Sequence, residues 1–117
     1  MGTNYERDVK MINSKKKGAA GEREWANYCK EKGFDARRTA QFNGKELESK
    51  ADVIGVPGIH MEVKRVEALN IHKAIDQAIR DNHSVDIPIV AHRKNGTKWL
   101  ITMTADDWFK LFSKIKK

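Results

Sequence analysis

Cysteine, histidine and long apolar runs are all scarce in this sequence. The single cysteine, Cys29, excludes a disulfide framework, and together with four scattered histidines it argues against a zinc site; these are His60, His72, His83 and His92. No apolar run approaches the length of a membrane-spanning helix or a signal-peptide core, so we expect a cytosolic protein without a membrane partner. There is no internal repeat or low-complexity linker, and 117 residues suffice for one domain with a buried core.

Positive charge, by contrast, is in excess. The net charge of +7 and the isoelectric point near 9.6 favour a polyanionic partner, nucleic acid before membrane. Residues 1–17 are polar and basic and end in Lys15, Lys16 and Lys17. They form either a disordered tail or a flexible arm whose lysines contact phosphates, which would add affinity and salt dependence but no sequence preference. We expect residues 18–117 to form the folded domain.

Residues 51–65 read as a β-hairpin that gathers charged side chains on one face. Glycine and Pro57 supply the turn, and alternating β-branched residues flank it. A turn centred on Pro57 places Asp52 opposite Glu62, so the two carboxylates share a face. Side chains alternate along a strand, which puts Lys64 on that face as well and turns the intervening Met61 and Val63 into a core.

This set of side chains suits a metal-dependent phosphodiester-cleaving site. Mg²⁺ prefers hard oxygen ligands and is held by one or two carboxylates together with substrate phosphate, while a nearby lysine can position water and offset charge. A surface ion-pair ladder is the alternative, because about one Glu-x-Lys is expected by chance with 8 Glu and 16 Lys in 117 residues. A second copy, Glu48-Ser49-Lys50, lies in a polar run that we interpret as a solvated loop.

The first helix carries another acidic residue on its apolar side. A helical pattern beginning at about residue 14 or 18 runs to Lys32 and ends at Gly33, with an apolar stripe of Trp25, Ala26 and Cys29. Glu22 lies on that stripe, where an unpaired charge would be costly. It either complements the helix dipole or is a third acidic group directed at the metal cluster.

The remaining pattern predicts a mixed sheet flanked by helices. Strands are expected at 34–39, with Arg37 and Arg38, and at 87–91 and 99–103, the last two joined by a turn at 94–96. An amphipathic helix at 69–83 should pack through Ile71, Ala74, Ile75, Ala78 and Ile79, with Lys73, Gln77 and Arg80 on another face. Thr104 should cap a last helix to about 115, whose stripe of Trp108, Leu111, Phe112 and Ile115 is either core or a subunit interface. The order is αβββαββα, an α/β fold in one domain.

These motifs together resemble the PD-(D/E)XK nuclease superfamily, which has the restriction-endonuclease-like fold. Within it, the chain is most similar to archaeal-type Holliday junction resolvases and their phage relatives. The resemblance covers residues 18–103 and rests on Gly21-Glu22-Arg23-Glu24, on Gly33-Phe34 followed by Arg37-Arg38, on Ala51-Asp52-Val53-Ile54-Gly55 and on Met61-Glu62-Val63-Lys64. Ala51 stands where the superfamily name has proline, a departure that the motif commonly tolerates.

The resemblance implies a role for each matching residue. Asp52 and Glu62 would ligate Mg²⁺, for which Mn²⁺ would substitute, and Glu22 would be a further ligand or would support the ligands. Lys64 would orient or activate the attacking water, and Gln77 matches a helix glutamine found near such sites. Candidates for DNA contacts are Lys15, Lys16, Lys17, Arg37, Arg38, Arg65 and Lys73. For Arg37, Arg38 and Lys73 the alternative is a solvent-exposed side chain that binds nothing.

For the whole protein, the resemblance implies a homodimer that resolves four-way junctions by paired nicks leaving 5′-phosphates, in the cytoplasm of a prokaryotic or phage-infected cell. Two alternatives stay open. One is another nuclease of this superfamily that acts on flaps, on damaged DNA or by nicking, and the other is a noncatalytic basic protein that binds nucleic acid.

Overall fold

The computed structural model describes residues 18–39 and 51–116. The described elements follow the predicted order: α1 (18–31), β1 (Arg37–Arg38), β2 (Val53–Ile54), β3 (Ile59–Arg65), α2 (Ile71–Asp81), β4 (Ile87–Arg93), β5 (Leu100–Thr102) and α3 (Ala105–Ile115). The strands form one sheet in the order β1-β2-β3-β4-β5. Only the β3–β4 pair is parallel among them, because α2 carries the chain back across the sheet between these two strands. The predicted mixed sheet is therefore confirmed.

The hairpin between β2 and β3 has the predicted register. Val53 pairs with Met61, so the turn is centred on Pro57 and Asp52 lies beside Glu62. Gly55 and Gly58 have φ angles of 121° and 81°, values that residues with a Cβ rarely adopt. Two glycines thus let the chain reverse tightly enough to bring the two carboxylates together.

Helices cover both faces of the central strands. Met61 and Val63 face α1, where Trp25 is buried and donates its indole N–H to Sδ of Met61 at 3.3 Å. On the other face Ala74 and Ala78 of α2 pack on Val90 of β4. Glu62 is paired in register with Val90 and so points towards the side that α2 covers. A charged side chain in the middle of β3 is consequently buried.

The first helix ends as the sequence predicts. Gly33 has a φ of 97°. Its N–H donates to the carbonyl of Lys30, and the N–H of Phe34 donates to the carbonyl of Cys29. These two bonds form a Schellman motif, which satisfies carbonyls at the end of the helix. The residues predicted to face water, Arg23, Asn27, Lys30 and Glu31, are exposed.

The described residues exclude the core alternative for most of the α3 stripe, and they correct two other predictions about packing. In α3, Trp108, Phe112 and Ile115 are 47–70% exposed and only Leu111 packs against the core, because the sheet ends at the three-residue strand β5 and offers no surface for the rest of the stripe. In α2, Ile79 is 45% exposed, since the adjacent Ala78 takes the buried position. The strand predicted at 34–39 is reduced to Arg37 and Arg38, because β1 pairs only with the short β2.

Caps and turns elsewhere follow the prediction. Oγ1 of Thr104 accepts a hydrogen bond from the N–H of Asp107 and starts α3. The β4–β5 turn closes through the N–H of Thr97 and the carbonyl of Lys94, with Gly96 at a φ of 75°. None of the helices that the structure describes is both long and apolar enough to cross a membrane. The predicted basic arm (1–17) and the polar loop with Glu48-Ser49-Lys50 lie outside the described residues.

Candidate active site

Asp52 is held in place by the strand opposite to it. Its carboxylate oxygen Oδ2 accepts the backbone N–H of Val63 at 2.9 Å, and its own N–H donates to the carbonyl of Met61 at 2.9 Å. Both partners belong to β3, so the hairpin itself fixes this side chain beside Glu62. The sequence-based prediction of two neighbouring carboxylates matches this geometry.

The environment of Asp52 opposes ionisation. Burial raises the pKa of its carboxyl to about 7, and the charge of Glu62 and a hydrogen bond between the two side chains act in the same direction. The N–H of Val63 and the charge of Lys64 act against this rise in the pKa. Two buried carboxylates that repel each other in this way would be stabilised by a bound cation.

Glu62 is more deeply buried than the sequence suggested, and it has a partner that the sequence analysis missed. Its side chain is 1% exposed, and Oε1 lies 3.2 Å from Nε2 of His60, which is 4% exposed. His60 precedes Glu62 by two residues on β3 and therefore points to the same face. The alternation that placed Lys64 beside Glu62 would also have identified His60, had the histidines not been considered only as zinc ligands.

Glu22 lies at the edge of this cluster and is paired. Nε of Arg38 donates to its Oε1 at 2.9 Å, which joins α1 to β1. Burial raises the pKa of Glu22, the hydrogen bond from Arg38 lowers it, and the charge of Asp52 raises it again. The structure thus brings Glu22 within electrostatic range of Asp52, and its position away from the wet face of α1 agrees with the sequence analysis. Its pairing with Arg38 was not anticipated.

The other two proposed catalytic residues lie around the pair. Lys64 is half-buried on β3 and is close enough to Asp52 to lower the pKa of that carboxyl. Gln77 is half-buried on α2, which packs on β3 and β4, and forms no side-chain hydrogen bond among residues 18–39 and 51–116. The charge of Lys64 therefore acts on Asp52, whereas Gln77 has no side-chain hydrogen-bond partner among the described residues.

The side chains expected to bind DNA differ in whether they already form an ion pair within the protein. Arg37 and Lys73 are exposed, and within residues 18–39 and 51–116 the side chain of Arg37 makes only a long ion pair with Asp35 at 3.8 Å. Arg38 is committed to Glu22. Arg65 donates to Glu24 and also lies near Glu67, so it crosslinks α1 to the end of β3. The triple-lysine run precedes the described residues.

The donor set fits a hard divalent cation. Asp52 and Glu62 supply carboxylate oxygens in a buried setting: Oδ2 of Asp52 accepts the N–H of Val63, and Oε1 of Glu62 lies 3.2 Å from Nε2 of His60. No group of three or more His, Cys, Asp or Glu side chains that could hold a metal lies within the part of the chain that the structure describes. Two carboxylates match the usual requirement of Mg²⁺, which retains several waters, and do not match that of zinc.

The five-stranded mixed sheet, with its carboxylates on a central hairpin and helices on both faces, is consistent with the restriction-endonuclease-like class of α/β proteins. The family model of archaeal Holliday junction resolvases (Hjc) matches residues 13–107. The chain therefore belongs to this family of nucleases, which confirms the resemblance drawn from the sequence motifs. A search of curated proteins gives no match.

Proposed function

We propose that this protein is a divalent-metal-dependent endonuclease that cuts four-way DNA junctions by paired hydrolytic nicks leaving 5′-phosphates. The observation that carries the proposal is the buried pair of Asp52 and Glu62 with Lys64 on the same strand face. Membership of the resolvase family supports the choice of substrate. The basic surplus of +7 supports a DNA partner, and the cytoplasm of a prokaryotic or phage-infected cell is the expected setting.

In this proposal each residue has a defined task. Asp52 and Glu62 would hold Mg²⁺, or Mn²⁺ in its place, and the ion would supply charge stabilisation at the scissile phosphate and acidify a water. Lys64 would orient the attacking water and offset negative charge in the transition state. Glu22 would keep Arg38 beside the cluster through their 2.9 Å hydrogen bond, where the guanidinium can approach a DNA phosphate. Gln77 is proposed to approach the phosphate from α2.

The exposed face of α3 supports the proposed homodimer. Trp108, Phe109 and Phe112 form an aromatic group in which Trp108 stacks on Phe112 at 5.4 Å, yet each ring is 47–62% exposed. Leu100 and Ile101 of the edge strand are also more than half exposed. Apolar surface of this kind is characteristic of a protein interface.

Charge along α3 favours a second copy of this chain as the occupant. Asp106 lies in the first turn and Lys114 in the last, whereas Asp107 and Lys110 pair with each other at 3.7 Å. Antiparallel packing of two α3 helices about a two-fold axis would bring the acidic end of each against the basic part of the other. Such a dimer has two active sites related by two-fold symmetry, as paired nicks across a four-way junction require.

The decisive experiment is a cleavage assay on a synthetic four-way junction beside matched linear duplex, flap and single strand, each with Mg²⁺, Mn²⁺ or EDTA. Asp52→Asn serves as the inactive control. Paired symmetric nicks confined to the junction and dependent on metal are expected. Metal-dependent cutting of flaps or of every substrate would preserve the active site and refute junction specificity, whereas binding without cutting in any metal would favour the noncatalytic alternative.

A further inference from the structure

The proposed function assigns no role to the buried contact between His60 and Glu62. His60 is 4% exposed and Glu62 is 1% exposed, and their Nε2 and Oε1 atoms lie 3.2 Å apart. The two residues alternate along β3 on the face that α2 covers. Among the described residues, no other hydrogen bond of the His60 side chain links it to the hairpin.

The chemistry of the contact sets its direction. An ionised carboxylate can only accept hydrogen bonds, so Nε2 of His60 must carry the hydrogen when Glu62 is ionised. In a buried setting such a bond also offsets part of the cost of removing the carboxylate from water. The bond therefore fixes Oε1, and a cation bound by the other oxygen of Glu62 would replace the hydrogen bond between Glu62 and Asp52.

Asp52 is held in the same way by a different donor. The backbone N–H of Val63 bonds to its Oδ2 at 2.9 Å, so each carboxylate has one oxygen held by a group on β3, and the other oxygen is the one that a cation would bind. Val63 uses a backbone group, which any residue at that position would supply. The donor to Glu62 is a side chain, so its presence depends on the identity of residue 60.

We propose that His60 is a positioning residue that holds Glu62 through Nε2–H···Oε1 so that its other oxygen can bind a divalent cation. The inference rests on the proposed function, since it concerns the same metal site. Donors to ligand carboxylates are worth about 10- to 100-fold in metal affinity. A residue that merely filled space under α2 would have no effect of this kind.

The test compares two substitutions of similar shape. His60→Gln keeps an N–H donor on an unbranched side chain, whereas His60→Met has similar length and no N–H. Mn²⁺ binding to the DNA-free protein, followed by electron paramagnetic resonance, should weaken about tenfold or more in His60→Met and stay within about threefold of the parent in His60→Gln. His92→Met is the control, because Nε2 of His92 bonds to Thr102 instead of a carboxylate.

Equal Mn²⁺ affinities in the two His60 variants, whether both weak or both as in the parent, would overturn the proposal. If neither variant folds, nitrogen NMR of the unmodified protein decides: the Nε2–H tautomer of His60 is expected with and without Mg²⁺, and the Nδ1–H tautomer would refute the donor role. Failure of the proposed function is distinguishable, because then the parent and Asp52→Asn would bind Mn²⁺ equally weakly.

Discussion

The backbone N–H of Val63 donates a 2.9 Å hydrogen bond to Oδ2 of Asp52, across the hairpin that joins β2 to β3. This bond orients a carboxylate whose pKa is raised to about 7 by burial and by the neighbouring Glu62. The hairpin therefore orients Asp52 in surroundings that oppose its charge. The consequences can be tested one residue at a time.

Asp52→Asn and Glu62→Gln should each reduce cleavage at least about a thousandfold while leaving junction binding intact, because ligation is lost but shape is kept. Single-turnover cleavage in Mg²⁺ and binding in Ca²⁺ measure the two properties separately. Cleavage by either variant at the parental rate would show that the site has been assigned wrongly.

Lys64→Ala should slow the chemical step about 100- to 1000-fold and change the Mg²⁺ concentration for half-maximal activity little, because in the proposed mechanism Lys64 stabilises charge and does not ligate the ion. A titration of single-turnover rate against Mg²⁺ separates these effects. Lys98→Ala, an exposed lysine before β5, is the matched control. An unchanged maximal rate in Lys64→Ala would remove this residue from the mechanism.

The stability of the metal-free protein should decrease with rising pH. The pKa of Asp52 is about 7 in the folded protein against 3.8 ordinarily, so the folded state binds the proton more tightly. The stabilisation that proton binding at Asp52 gives the folded state is fully present below about pH 4 and is lost as the pH rises through 7. Asp52→Asn cannot ionise, and above pH 7 it should be more stable than the parent by up to a few kcal/mol.

Urea unfolding in EDTA between pH 4 and 8 measures this effect. Asp76→Asn, which removes an exposed carboxylate on α2, should retain the pH dependence of the parent. If Asp52→Asn also retains it, the elevated pKa of Asp52 is incorrect.

Phe112→Asp should convert the proposed dimer to a monomer, because a charge replaces a ring in the exposed aromatic group of α3. Sedimentation at several protein concentrations measures the change. Val85→Asp is the control, since Val85 is 94% exposed and lies in the connection between α2 and β4. In the antiparallel arrangement, Lys114→Glu should weaken the dimer and added Asp106→Lys should restore it. A parental dimer in Phe112→Asp would place the interface elsewhere.

Gly55→Ala should destabilise the protein far more than Gly58→Ala, although both glycines have positive φ angles. A Cβ at Gly55 would overlap the backbone of Asp35 and Ala36, whereas a Cβ at Gly58 meets nothing within 4 Å. We expect about 1–2 kcal/mol for Gly58→Ala from backbone strain and several kcal/mol for Gly55→Ala. Equal losses in denaturant unfolding would contradict the close approach of Asp35 and Ala36 to this turn.

Local patterns were sufficient for much of the fold. Turn residues and alternation predicted the register of Asp52 against Glu62, and the periodicity around Trp25 predicted the buried side of α1, because these features depend on neighbours within one hairpin or one helix. The same alternation located the carboxylate pair and Lys64. Family membership, identified from short motifs, was confirmed by the match over residues 13–107.

Contacts between distant segments required the tertiary structure. The sequence does not show that Arg38 pairs with Glu22, that His60 is buried against Glu62 under α2, or that α3 keeps its aromatic side exposed. An amphipathic pattern shows that a helix such as α3 has an apolar side. Which surface covers that side depends on how far the sheet extends. Likewise, the charges of the site are set by burial and by partners from other elements, and these exist only once the chain has folded.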